Sequence, residues 1–181
     1  MAIDLAKLSF FSLNRDNVPK VFNCGDEDLN NFILHDAFPS QEAYLSNTTL
    51  LYYDGSFVGY FTLACDSLRL EETNERANMQ KRIQSYPAIK IARMAFSEEC
   101  QRQGCGKLVV SFVVGFAQAL NKRHLGCRFI TVDAYPHRVG FYTKLGFKYN
   151  THKAYKRNNH PSLRLDVWSE IYKPAVDIDT I

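Results

Sequence analysis

Residues 97–107, Ser-Glu-Glu-Cys-Gln-Arg-Gln-Gly-Cys-Gly-Lys, set two glycines, an arginine and a lysine just before the apolar run Leu108–Leu120. Glycine lets backbone approach a ligand closely. The first amides of a helix have no internal acceptor and carry the positive end of its dipole. Such a turn is an anion site that suits a diphosphate. Two other phosphate loops fail at single positions. A P-loop needs Ser or Thr after its lysine, and Leu108 stands there; a dinucleotide fingerprint needs a third glycine, and Val109 stands there. What remains is Gln101-x-x-Gly104-x-Gly106. Tyr142 stands further along, in Phe141-Tyr142-Thr143-Lys144-Leu145-Gly146-Phe147. A phenol with a pKa near 10 is protonated at neutral pH and can donate to a leaving group. Asp66 and Asp133, late in strand-like segments, are candidate proton acceptors, with a structural role as the ordinary alternative.

The elements that hold these groups follow from periodicity. Phe22–Phe38 reads as a helix capped by Asp26, with Leu29, Phe32, Ile33 and Ala37 as its apolar stripe. Thr48–Tyr53 and Phe57–Cys65 read as strands joined by the turn Asp54-Gly55. Ser67–Tyr86 is polar, either a substrate-facing segment or a surface helix, and Pro87 ends it. Ile89–Phe96 reads as a strand, in which strict alternation puts Arg93 on the side of Ile89 and Ile91 unless a bulge intervenes. Gly104–Lys122 reads as a buried helix, apolar nearly all round. Arg128–Ala134 reads as a central strand, followed by a short helix from Pro136 to Leu145 with Gly146 as its cap. Phe147–Asn150 and Leu163–Trp168 are further strands. An antiparallel hairpin followed by alternating strands and helices predicts a mixed α/β sheet flanked by helices.

The 181 residues are 46% hydrophobic and 23% charged, with 9 Gly and 6 Pro, which excludes disordered and low-complexity chains. One domain, 1–181, is expected, with its core at about 22–168 and a variable segment at 67–87. No apolar run reaches the length of a membrane span, and no secretory signal is evident at the N-terminus. The cysteines, 24, 65, 100, 105 and 127, are odd in number and lack Cys-x-x-Cys spacing, so reduced thiols and no metal are expected. Net charge is +3 but uneven. From Ala134 to Leu165 there is no Asp or Glu against seven Lys and Arg, leaving −4 elsewhere. Such a window either faces an anionic partner or is a solvated basic surface.

The glycine turn between a strand and a buried helix, with the aromatic-Tyr-x-x-Leu-Gly-Phe string some 35–40 residues later, resembles the two motifs of the GNAT superfamily of N-acetyltransferases. The resemblance runs from about Phe22 to Trp168. It implies a GNAT-like fold and acetyl-CoA as acetyl donor. It implies that the Met94 and Phe96 backbones hold the pantetheine arm. Gln101, Arg102, Gln103, Gly104, Cys105, Gly106 and Lys107 would cradle the diphosphate, with Lys144 also on the carrier. Tyr142 would serve the departing sulfur and Asp66 would take the acceptor's proton. The family often carries Asn seven residues before its tyrosine; this chain has Tyr135.

Phe22-Asn23-Cys24-Gly25, Leu29-Asn30-Asn31-Phe32-Ile33, Val58–Ala64 and Ile91–Phe96 are similar to the branch holding toxins of toxin–antitoxin modules. That branch acetylates the amino group of aminoacyl-tRNA. Its implications are tRNA on the basic 135–164 window and an antitoxin partner; the reduced cysteines imply a cytoplasmic location, and the family's dimerisation implies a homodimer through Leu163–Trp168. The first reading is acetyl-CoA-dependent transfer to a primary amine, small or peptide, by direct attack on the thioester; the alternatives are toxin-type transfer to aminoacyl-tRNA and an acyl-CoA-binding module without catalysis.

Overall fold

The computed structural model describes residues 4–71, 83–156 and 159–168. In chain order it contains β1 (Leu8–Ser12), α1 (Glu27–Asn31), a π-helical turn (Phe32–Asp36), α2 (Ala37–Glu42), β2 (Asn47–Tyr53), β3 (Ser56–Leu68) and β4 (Tyr86–Phe96). Then follow α3 (Cys105–Arg123), β5 (Phe129–Asp133), α4 (Val139–Lys144), β6 (Lys148–Tyr149) and β7 (Ser162–Asp166). The strands form one seven-stranded sheet in the order β1-β2-β3-β4-β5-β7-β6. Pairing is antiparallel for β1 with β2, β2 with β3, and β7 with both β5 and β6. The pair β4 and β5 is parallel, because α3 carries the chain back to the starting end, as parallel neighbours require. The mixed, mostly antiparallel sheet with flanking helices is the fold expected from the sequence.

Contacts divide the chain into two compact units, residues 1–64 with 91–110, and residues 65–90 with 111–181. In the first, Asp54 (φ 46°) and Gly55 (φ 78°) form the left-handed pair that a two-residue hairpin needs. The helical segment begins at Glu27, not Phe22. Asp26 is extended and its carboxylate accepts from the Leu29 amide at 3.2 Å, the expected cap. Phe22 and Cys24, whose apolar character suggests helix, are instead buried in the irregular chain before it. They pack with Leu13, Ile33, Ala37, Leu50, Tyr60 and Ala95. The Arg93 side chain is partly exposed, and its guanidinium lies over the Phe32 ring at 5.3 Å, with Asp28 at 3.9 Å.

The second unit packs Leu68, Leu70, Tyr86, Ala88 and Phe129 together, with Tyr155 against them. Residues 72–82, most of the polar segment, lie outside the described residues. Its ends are strand, and Pro87 sits inside β4 rather than before it. The Asn121 side chain donates to the Cys127 carbonyl at 2.6 Å and accepts from its amide at 2.8 Å, which fixes the exit of α3 into β5. After α4, Gly146 (φ 90°) turns the chain; the Phe147 amide returns to the Tyr142 carbonyl and Gly146 to Thr143, the two bonds of a Schellman cap. Leu163, Leu165 and Val167 are buried in and after β7, which lies between β5 and β6, while Trp168 is exposed.

Candidate active site

The glycine turn belongs to the first unit. It is shaped by two left-handed residues, Arg102 (φ 61°) and Gly104 (φ 92°). An arginine there costs about 1–2 kcal/mol, and side-chain clamps hold it. The Gln101 amide group donates to the Cys24 carbonyl at 2.7 Å and the Phe96 carbonyl at 3.1 Å. Gln103 donates to the Glu99 carbonyl. Gln101 therefore uses both amide hydrogens to tie the turn to β4 and to the segment before α1. The first intrahelical bond of α3 runs from the Leu108 amide to Gly104. The amides of Cys105, Gly106 and Lys107 thus have no acceptor within the helix, and they stand at the N-terminus of a 19-residue dipole. The Arg102 and Lys107 side chains are exposed beside them. That donor set fits a diphosphate. Burial pushes the Cys105 thiol above its ordinary pKa, so it is no ready nucleophile.

Met94 and Phe96 are half-buried on β4. What sets their backbone is Gly59. A Cβ there would come 2.6 Å from the Ala95 carbonyl oxygen and 2.7 Å from the Phe96 ring. Val58 accepts from the Ser97 amide at 2.9 Å. In the sequence Gly59 stands out only within the toxin-like string Val58–Ala64. Its positioning role depends on a close strand approach that sequence does not display.

The second unit holds Tyr142, Lys144, Asp66 and Asp133. Tyr142 is 7% exposed on α4, with Phe141 and Phe147 edge-on at 5.0 and 5.3 Å. Burial pushes its phenol up to about 12, against a smaller downward pull from the Arg138 guanidinium. Lys144 is exposed at the end of the same helix. Asp66 is engaged at both oxygens: Oδ1 accepts from the Ser67 amide at 2.8 Å and Oδ2 from the Thr131 hydroxyl. Asp133 accepts from Lys90 Nζ, a residue the sequence did not single out. No residue pattern announces that pair; it follows from strand register.

The basic window also lies in the second unit. His137, Arg138, Lys144, Lys148, Lys153, Lys156 and His160 are exposed. Tyr135 stacks on His137 at 5.7 Å and meets His160 edge-on at 4.9 Å. A small open cleft is lined by Arg69, Leu70, Glu71, Thr151, His152 and Arg164. Among the described residues, no helix is long and apolar enough to cross a membrane, and no group of three His, Cys, Asp or Glu could hold a metal ion.

A search of curated protein sequences finds no match. Solved structures share the fold. A tyrosine-to-phenylalanine mutant of KacT aligns with a TM-score of 0.76 at 20% identity, covering 89% of this chain and 95% of its own. AtaT complexed with acetyl-methionyl-tRNAfMet gives 0.76 at 19%, covering 88% and 94%. AtaTR bound with AcCoA gives 0.72 at 20%, covering 90% and 95%. The family described as Acetyltransferase (GNAT) domain matches residues 46–149, a span that takes in the glycine turn, β5 and the Tyr142 helix. With more than half of its length inside that match, this chain belongs to the GNAT acetyltransferases.

Proposed function

We propose that the protein transfers the acetyl group of acetyl-CoA to the α-amino group of aminoacyl-tRNA, as a toxin of a toxin–antitoxin module. The observation that carries the acceptor is the acid-free basic window, whose lysines are exposed along α4, β6 and the loop before β7. Phosphates attract lysine and arginine whatever the base sequence. The Tyr135, His137 and His160 rings beside them suit unstacked terminal bases. The shared fold with AtaT in complex with acetyl-methionyl-tRNAfMet supports the same acceptor. AtaT has also been solved with the C-terminus of the antitoxin AtaR, which supports an antitoxin partner here. Donor and acceptor are both cytoplasmic molecules, and the reading places the protein there. Membership of an acetyltransferase family tells against a purely carrier-binding role.

The residues divide the work. Amides of Cys105, Gly106 and Lys107, with the Arg102 and Lys107 charges, hold the donor's diphosphate. The Met94–Phe96 backbone, set by Gly59, aligns the pantetheine arm and aims an amide at the thioester carbonyl, where a fixed donor stabilises developing negative charge. The Tyr142 hydroxyl donates to the departing sulfur. The α-amine, with a pKa near 8, is partly neutral at physiological pH and attacks directly.

The deciding experiment incubates the protein with acetyl-CoA and a mixture of charged tRNAs, then reads the tRNA-bound amino acids by mass spectrometry. An added acetyl group on the α-nitrogen is expected. Thiol release without any tRNA-bound acetyl amino acid would discard this acceptor in favour of a small or peptide amine.

A further inference from the structure

The parallel ladder between β4 and β5 ends at Lys90 and Thr131, while β5 runs on to Asp133. Asp133 therefore stands at the carboxyl end of a parallel strand, the end at which open α/β sheets bind ligands. Thr131 and Asp133 share one face of β5, and Lys90 is the register partner of Thr131. Lys90 Nζ reaches past that partner to donate to Asp133 Oδ2. Both side chains remain about a third exposed, 32% and 31%. A pair this wet adds little to stability, so its place at the strand end calls for another account. Among the described residues, no donor reaches the second oxygen, Oδ1. Asp66 differs, since it has a donor on each oxygen.

We propose that Asp133 Oδ1 accepts the proton of the acceptor amine, and that Lys90 is a positioning residue that fixes the carboxylate by its other oxygen. The assignment rests on the acetyl-transfer reading and replaces Asp66 as proton acceptor. The amine lone pair forms the new C–N bond at the thioester carbon, and the C=O π pair moves to oxygen. The nitrogen, now positively charged, passes its proton to Asp133. The oxygen pair re-forms the carbonyl and the C–S bond breaks, its electrons leaving with sulfur. The sulfur, hydrogen-bonded by the Tyr142 hydroxyl, takes up one proton from water, and Asp133 returns its proton to water. Amine and thioester have become amide and thiol.

The test uses the full-length chain with acetyl-CoA and either charged tRNA or the simple amine glycinamide. D133N is expected to lower kcat about 100-fold, the low end for a lost general base, with the KM for acetyl-CoA within about two-fold of wild type. D133A is expected to recover about ten-fold when sodium formate replaces sodium chloride at equal ionic strength, a rescue that a structural role would not show. K90M is expected to lower kcat about ten-fold, and K90M/D133N to be no slower than D133N alone. If D133N retains kcat within two-fold, or the D133A loss ignores formate, the assignment is overturned. Wild type active on glycinamide but not on charged tRNA would overturn only the acceptor reading. Inactivity on both would overturn both.

Discussion

At the scale of single residues, the buried phenol of Tyr142 defines what kind of acid it is. With its pKa at about 12, it stays protonated throughout the physiological range. A thiolate whose conjugate acid ionises near 8.5 would take that proton uphill by roughly 3.5 pH units, about 5 kcal/mol. In the proposed transfer the hydroxyl would therefore stabilise the leaving sulfur by donation rather than by giving up its proton outright. Tyr142→Phe should lower kcat about 100-fold and leave tRNA affinity unchanged, measured by steady-state kinetics and filter binding. The same burial makes an alkaline prediction. The folded pKa exceeds the unfolded value near 10, so the native state holds its proton more tightly. Stability from this group is complete below pH 10 and is lost as pH rises towards 12, by ~3 kcal/mol. Tyr60, whose phenol burial also raises and whose hydroxyl donates to the Leu29 carbonyl at 2.7 Å, adds to the loss in the same direction. Urea midpoints between pH 9 and pH 12 should show the decline, and Tyr142→Phe should remove only part of it.

At the scale of elements, the turn is legible in part. The two glycines and the helix start announce a tight turn leading into a helix because those signals are local. The hairpin at Asp54-Gly55, the Asp26 cap and the Gly146 cap are legible for the same reason. The helix start differs from expectation because Phe22 and Cys24 are buried by tertiary packing, and apolar character alone does not distinguish a helix stripe from an extended chain pressed onto a core. What Gln101 does is hidden too, since its two acceptors lie 77 and 5 residues away. Removing it takes the Gln101 donor from two carbonyls and the tie from a left-handed arginine. Gln101→Ala should cost about 1–3 kcal/mol in thermal unfolding and raise the KM for acetyl-CoA more than it lowers kcat. Gly59→Ala tests the other end of the strand. A Cβ so close to the Ala95 carbonyl forces β4 to shift. A destabilisation of about 1–3 kcal/mol and weakened acetyl-CoA binding by calorimetry are expected.

Across the whole molecule, charge separates as the sequence indicates, and the basic window sits entirely within the second unit. Replacing Lys148, Lys153 and Lys156 together by Gln should weaken tRNA binding and flatten its salt dependence, by about 0.7–0.9 in logarithmic slope for each phosphate no longer neutralised. Acetyl-CoA binding should hold, because none of the three lysines belongs to the glycine turn. A salt slope equal to wild type would remove this surface from the tRNA account. The Lys90–Asp133 and Asp66–Thr131 hydrogen bonds, 43 and 65 residues apart in the chain, are beyond sequence reading because they depend on how distant strands align. The order β5-β7-β6 has a further outcome. A late stretch of chain must be threaded between two earlier ones, so the sheet is incomplete while residues 162–166 are still inside the ribosome. On the proposed reading, acetyl transfer therefore waits until residues 162–166 have left the ribosome and completed the sheet.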